Sequence, residues 1–75
     1  MERYKNLSGG SGIAAYESGP DFIRVQFASG SIYLYTYESA GSENIEIMKK
    51  LASKGEDLNS FINATVRSNY ARKER

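Results

Sequence analysis

The 75-residue chain contains no cysteine and no histidine. Their absence excludes thiol nucleophiles, imidazole general bases and Cys/His zinc sites from this sequence. No disulfide can brace the fold, so a reducing compartment suits it and its core must suffice. Proline occurs once, and no low-complexity tract is present, so disorder is expected only at the ends. No apolar stretch approaches the roughly 20 residues that span a bilayer. Met1-Glu2-Arg3-Tyr4-Lys5 lacks the hydrophobic segment of a signal peptide. A cytoplasmic protein with no membrane partner, no metal and no cofactor is the expectation.

The hydrophobic fraction of 40% and charged fraction of 25% suit one small globular domain, near the lower size limit for a self-sufficient core. Net charge is only +1, but it is unevenly spread: residues 1–48 carry −3 and residues 49–75 carry +4. That asymmetry points to a polyanion-facing C-terminal half. The competing reading is that Lys49, Lys50 and Lys54 simply suit a helix C-terminus, where cations meet the negative end of the dipole.

Residues 1–10 read as a flexible leader, with Ser8-Gly9-Gly10-Ser11-Gly12 as its joint to a single domain over 11–71; residues 72–75 form a basic tail. The glycine tract follows no strand and lacks the Gly-Lys-Ser/Thr ending of a phosphate loop. Ile13-Ala14-Ala15-Tyr16-Glu17 reads as a short strand, closed by the turn cluster Ser18-Gly19-Pro20-Asp21. Phe22–Phe27 and Ser31–Tyr37, alternating large residues around Ala28-Ser29-Gly30, read as an antiparallel hairpin. A helix starts near Ser42, whose hydroxyl can cap it; Ile45, Met48, Leu51 and Ala52 recur at helical spacing, and Gly55 ends it. Asp57 can cap a second helix with a stripe of Leu58, Phe61, Ile62, Thr65, Val66 and Tyr70. The expected fold class is α+β, a three-stranded antiparallel meander followed by two helices on one face, β-β-β-α-α.

The hairpin leaves a choice of register. A two-residue turn at Ser29-Gly30 pairs Phe27 with Ile32 and puts the tyrosines on the face opposite Val25. A three-residue loop with Gly30 left-handed places Ile23, Val25, Phe27, Tyr33 and Tyr35 together. The three-residue loop is favoured, because Ser29 disfavours the positive φ of a primed turn.

The ordered series Ser11-Gly12-Ile13-Ala14-Ala15-Tyr16, Ile23-Arg24-Val25-Gln26-Phe27, Gly30 with Tyr33-Leu34-Tyr35, and Ser53-Lys54-Gly55 resembles the KTSC domain. That small module occurs at the C-terminus of some lysyl-tRNA synthetases and as stand-alone bacterial proteins. The resemblance spans roughly residues 11–70, with the family's Val-Pro after the third strand replaced by Ser39-Ala40-Gly41. It implies a non-catalytic domain suspected of binding nucleic acid.

Lys49, Lys50, Lys54, Arg67, Arg72 and Lys73, with Arg75, are the candidate phosphate contacts, and Tyr33 and Tyr35 the candidate stacking rings. Each set has a plainer reading, as a solvated helix surface and as sheet core respectively. Glu17, Asp21, Glu38, Glu56 and Asp57 offer the only acid-base groups for an enzyme, and nothing in the sequence pairs them. The expected partner is therefore RNA or single-stranded DNA, and no catalysis is expected. The alternative is a protein partner, or self-association, through a sheet edge or the tyrosine-rich sheet face.

Overall fold

The computed structural model describes residues 1–7, 9–10 and 12–75. Five antiparallel strands lie side by side in chain order: β1 (Glu2–Arg3), β2 (Ile13–Ser18), β3 (Phe22–Phe27), β4 (Ile32–Thr36) and β5 (Arg72–Lys73). Helices α1 (Tyr37–Ala40), α2 (Ser42–Lys54) and α3 (Leu58–Phe61) follow β4, and a π-helical turn at Ile62–Val66 extends α3. The fold is α+β, as expected, and the meander forms its centre. The count of three strands and two helices is corrected by two short edge strands and the one-turn helix α1. Part of the expected joint, Ser8 and Ser11, lies outside the described residues. No helix among the described residues is long and apolar enough to cross a membrane.

The hairpin adopts the three-residue loop. Val25 pairs with Tyr33 and Ile23 with Tyr35. Phe27 N–H donates to Ser31 O at 2.9 Å and Gly30 N–H to Phe27 O at 2.8 Å, while Gly30 takes φ +97°. This geometry is the bulge that lets a tight loop join twisted strands without a primed turn. Ile23, Val25 and Tyr35 are consequently buried beneath the helices, with Phe27 and Tyr33 packed against that core.

A second irregularity orients β2. Ile13 pairs with Phe27, yet Ala15 pairs with Gln26, so one extra residue is accommodated near Ala14. The bulge brings Ile13 and Tyr16, three positions apart, onto the same buried face. Without it, strict alternation would turn one of them outward.

The chain ends differ from their expected roles. Glu2 and Arg3 pair with Tyr16 and Ala15, and the Tyr16 hydroxyl donates to Glu2 Oε2 at 2.9 Å. Tyr4 is buried in the core. At the other end, Arg72 and Lys73 pair with Leu34 and Tyr33, so the basic tail is an edge strand. Backbone groups on both flanks of the meander were open to pairing, and these short segments take them up.

Helix ends also depart from expectation. Gly41 precedes α2, and Ser42 makes no side-chain cap there. Instead Thr36 and Ser39 form a reciprocal capping box on α1. Asp57 adopts a left-handed conformation and makes no side-chain cap. The second amphipathic segment leaves helix after Val66, and Thr65 is exposed. Asn63, Thr65 and Val66 are weak helix formers, which favours a loosened final turn.

Gly55 ends α2 in the left-handed region as expected, with φ +85°. A Cβ there would lie 2.5 Å from Lys5 Cβ, where residues 5–7 cross the helix end and Leu7 N–H donates to Gly55 O at 2.7 Å. Gly55→Ala is expected to cost about 1–3 kcal/mol, from the unfavourable φ and this close approach. A urea melt showing an unchanged midpoint would contradict it.

Candidate functional site

Where the loop end of the hairpin faces the turn after α3, the surface sinks into a cleft of about 480 Å³. The sheet contributes Phe27, Tyr33 and Tyr35 to it, with Ser29 and Ser31 from the loop. The opposite wall is Ile62, Asn63 and Arg67 from the π-helical turn and its end, then Ser68 and Tyr70. Asn63 and Arg67 are four residues apart, nearly one turn of a π-helix, and both line the cleft.

The aromatic rings form one connected cluster. Tyr33 meets Phe27 edge-on with centroids 5.6 Å apart, and Tyr70 with centroids 4.8 Å apart. Tyr70 also meets Tyr35 at 6.3 Å. Tyr70 remains 38% exposed despite its size, whereas Tyr35 is 1% exposed. Burial pushes the Tyr35 hydroxyl up to about 12, and the adjacent Tyr33 and Tyr70 hydroxyls add to the shift. Tyr35 is therefore a neutral group at physiological pH, and among the described residues its hydroxyl donates to no side chain.

Two cations flank these rings. Arg67 lines the cleft, and Lys73 Nζ lies 5.8 Å from the Tyr33 ring centroid. No residue lining the cleft is acidic. The cleft thus offers aromatic surface, amide and hydroxyl groups and positive charge, without a carboxylate to oppose an anion.

Of the residues expected to act together, Tyr33, Tyr35, Arg67 and Lys73 meet at this cleft. Lys49, Lys50, Lys54 and Arg72 do not. Lys49 donates to Pro20 O and to Glu46 Oε2, both at 3.0 Å, at the end of β3 remote from the cleft. Lys50 is exposed on α2, and Lys54 stands 4.0 Å from Asp57 at the junction of α2 and α3. Arg72 lies beside Arg24 in an ion network on the outer sheet face. There Arg24 binds Glu17 at 2.8 Å and Glu74 at 2.6 Å, and Arg72 binds Glu74 at 3.1 Å. The Arg24 hydrogen bond holds the Glu74 carboxyl below its ordinary range, so this network is locally neutralised.

Sequence reasoning missed Tyr70 and Asn63 as cleft residues. Helical spacing places Tyr70 on the apolar stripe of a longer helix; the signal for a cleft role is the spacing Arg67, Tyr70, Lys73, basic residues alternating with an aromatic. The carboxylates considered for catalysis form no group of three that could hold a metal among the described residues. Glu17 is committed to Arg24, and Asp57 faces Lys54. Comparison with protein-family models, with curated proteins and with solved structures finds no match to this chain.

Proposed function

We propose that this chain is a small, non-catalytic, cytoplasmic domain that binds nucleic acid by its backbone, with RNA or a tRNA-like molecule as the favoured partner. The observation carrying this reading is the pairing of Arg67 and Lys73 beside one aromatic cleft free of acidic residues. They lie six residues apart in the chain, and the backbone between them carries Tyr70 into the same cleft. The KTSC resemblance and the basic C-terminal half support the same reading. Phosphate contacts of this kind supply affinity without sequence information. Lys49, Lys50 and Lys54 lie apart from the cleft and serve at most as outlying attraction for a polyanion.

The sheet-edge alternative has less support. Its edge strands β1 and β5 are two residues each, and all four residues are charged. Short, charged edges resist addition of a partner strand.

Titration against tRNA and a short single-stranded oligonucleotide at two salt concentrations tests the proposal. Replacing both Arg67 and Lys73 by glutamine is expected to reduce the slope of log affinity against log salt by about 1.4, about 0.7 for each lost contact on a single strand. Both side chains are exposed, so stability should change by less than about 0.5 kcal/mol. No salt-sensitive binding by the unaltered chain would end this reading.

A further inference from the structure

We infer that the cleft accepts one unpaired base, so that the ligand is a single strand with a base against Tyr33 and Tyr70 and its phosphates on Arg67 and Lys73. This inference rests on the nucleic-acid reading and narrows it. A duplex presents its phosphates outward and keeps its bases stacked inside, so it could engage the two cations but would leave the aromatic cleft empty.

Three observations favour a base as the occupant. The first is size: about 480 Å³ falls within the range of sites that hold one small molecule, roughly 300–1,000 Å³. The second is the exposed ring of Tyr70, which completes the cluster with Tyr33 at 4.8 Å yet is not part of the buried core. Bases stack on aromatic faces of this kind in single-strand sites. The third is polarity: Tyr35 is almost wholly buried at the floor of the cleft and its hydroxyl has no side-chain acceptor among the described residues. Asn63 stands on the opposite wall. A base edge brings ring nitrogens and exocyclic groups that match both, whereas an aliphatic occupant would leave the Tyr35 hydroxyl unsatisfied. The cations and the lack of lining carboxylates complement the phosphates on either side of that base.

The test compares a short single-stranded RNA with a blunt two-strand RNA duplex by fluorescence anisotropy at one low salt concentration, using the full chain and two variants. The single strand is expected to bind about tenfold or more tightly than the duplex. Tyr70→Ala should weaken single-strand binding roughly 5- to 150-fold and leave the duplex affinity unchanged. Tyr70→Leu keeps an apolar contact with Tyr33 and should lose nearly as much, which separates ring stacking from a packing defect. Aromatic NMR signals of Tyr33 and Tyr70 should shift with the single strand and not with the duplex. Equal affinity for the two probes, with neither variant having an effect, would overturn base insertion while leaving phosphate contact by Arg67 and Lys73 intact. Failure of both probes to bind would overturn the inference together with the reading beneath it.

Discussion

Tyr4→Ala is expected to remove about 3–5 kcal/mol of folding stability, a large part of the roughly 4–11 kcal/mol typical for a domain of this length. Tyr4 is 3% exposed and belongs to the core with Tyr16, Leu58 and the residues of α2. Its backbone N–H donates to Ala14 O at 3.1 Å, which continues the β1–β2 pairing. Its hydroxyl accepts from the Leu58 N–H at 3.3 Å. That N–H opens α3 and is one of the donors a helix start leaves free; Asp57, the residue placed to cap it, makes no side-chain cap. Tyr4 therefore substitutes for the missing cap from 54 residues away in the chain. Tyr4→Phe isolates this contact and should cost about 1 kcal/mol, with a ceiling near the roughly 3 kcal/mol of an unsatisfied buried donor. Urea denaturation followed by circular dichroism measures both changes. An unchanged midpoint for Tyr4→Ala would show that the segment does not hold the fold.

The same residue shows where sequence reading stops. The hairpin was legible because two alternating runs flank a short loop, and the chemistry of Ser29 and Gly30 decides its register. Helix α2 was legible from Ile45, Met48 and Ala52 on one face and from Gly55 at its end. Strands β1 and β5 were not legible, since two residues show no alternation and their pairing depends on a partner distant in sequence. Tyr4 looked like part of a loose leader because the glycine tract after it suggested detachment; in the fold, Glu2 and Arg3 pair with β2 and Tyr4 is buried in the core. The bulge at Ala14 was equally hidden, because Ile13 and Tyr16 share a face only after the ladder slips by one residue.

The candidate site was legible in composition and illegible in grouping. The basic excess of residues 49–75 was correct as a count, but each cation acquires its meaning from its neighbours. Glu46 holds Lys49, and Glu74 holds Arg72. On β5, alternation sends Arg72 to the outer face and Lys73 to the cleft side, so adjacent residues of like charge serve different surfaces. Tyr35 is core and Tyr70 is surface, although both belong to one ring cluster. The question of whether the tyrosines are core or site thus has no single answer: the hairpin buries one side of the cluster, and the turn after α3 leaves the other side open.

Alkaline pH should separate the contribution of Tyr35 from that of the other tyrosines. Its hydroxyl is pushed up to about 12, chiefly by burial, against an ordinary value of 10.0. The folded chain therefore holds this proton more tightly than the unfolded chain does. Stability from this source is complete below about pH 10 and is lost as pH rises toward 12, because the unfolded state ionises first. The two-unit difference corresponds to about 2–3 kcal/mol lost by about pH 12. Tyr16 and Tyr37 are also raised, Tyr16 by burial and then its bond to Glu2, Tyr37 by its bond to Glu46, so they add to the alkaline loss. The informative quantity is consequently the difference between the unaltered chain and Tyr35→Phe. At about pH 8 the two should differ little, since the hydroxyl removed has no side-chain partner among the described residues. Near about pH 12 the variant should be the more stable by most of that 2–3 kcal/mol. Urea melts at the two pH values measure this; parallel losses in both proteins would show that Tyr35 ionises as freely folded as unfolded. The same shift bears on the cleft, because a tyrosine that keeps its proton beside Arg67 and Lys73 stays a neutral donor and adds no negative charge against an incoming phosphate.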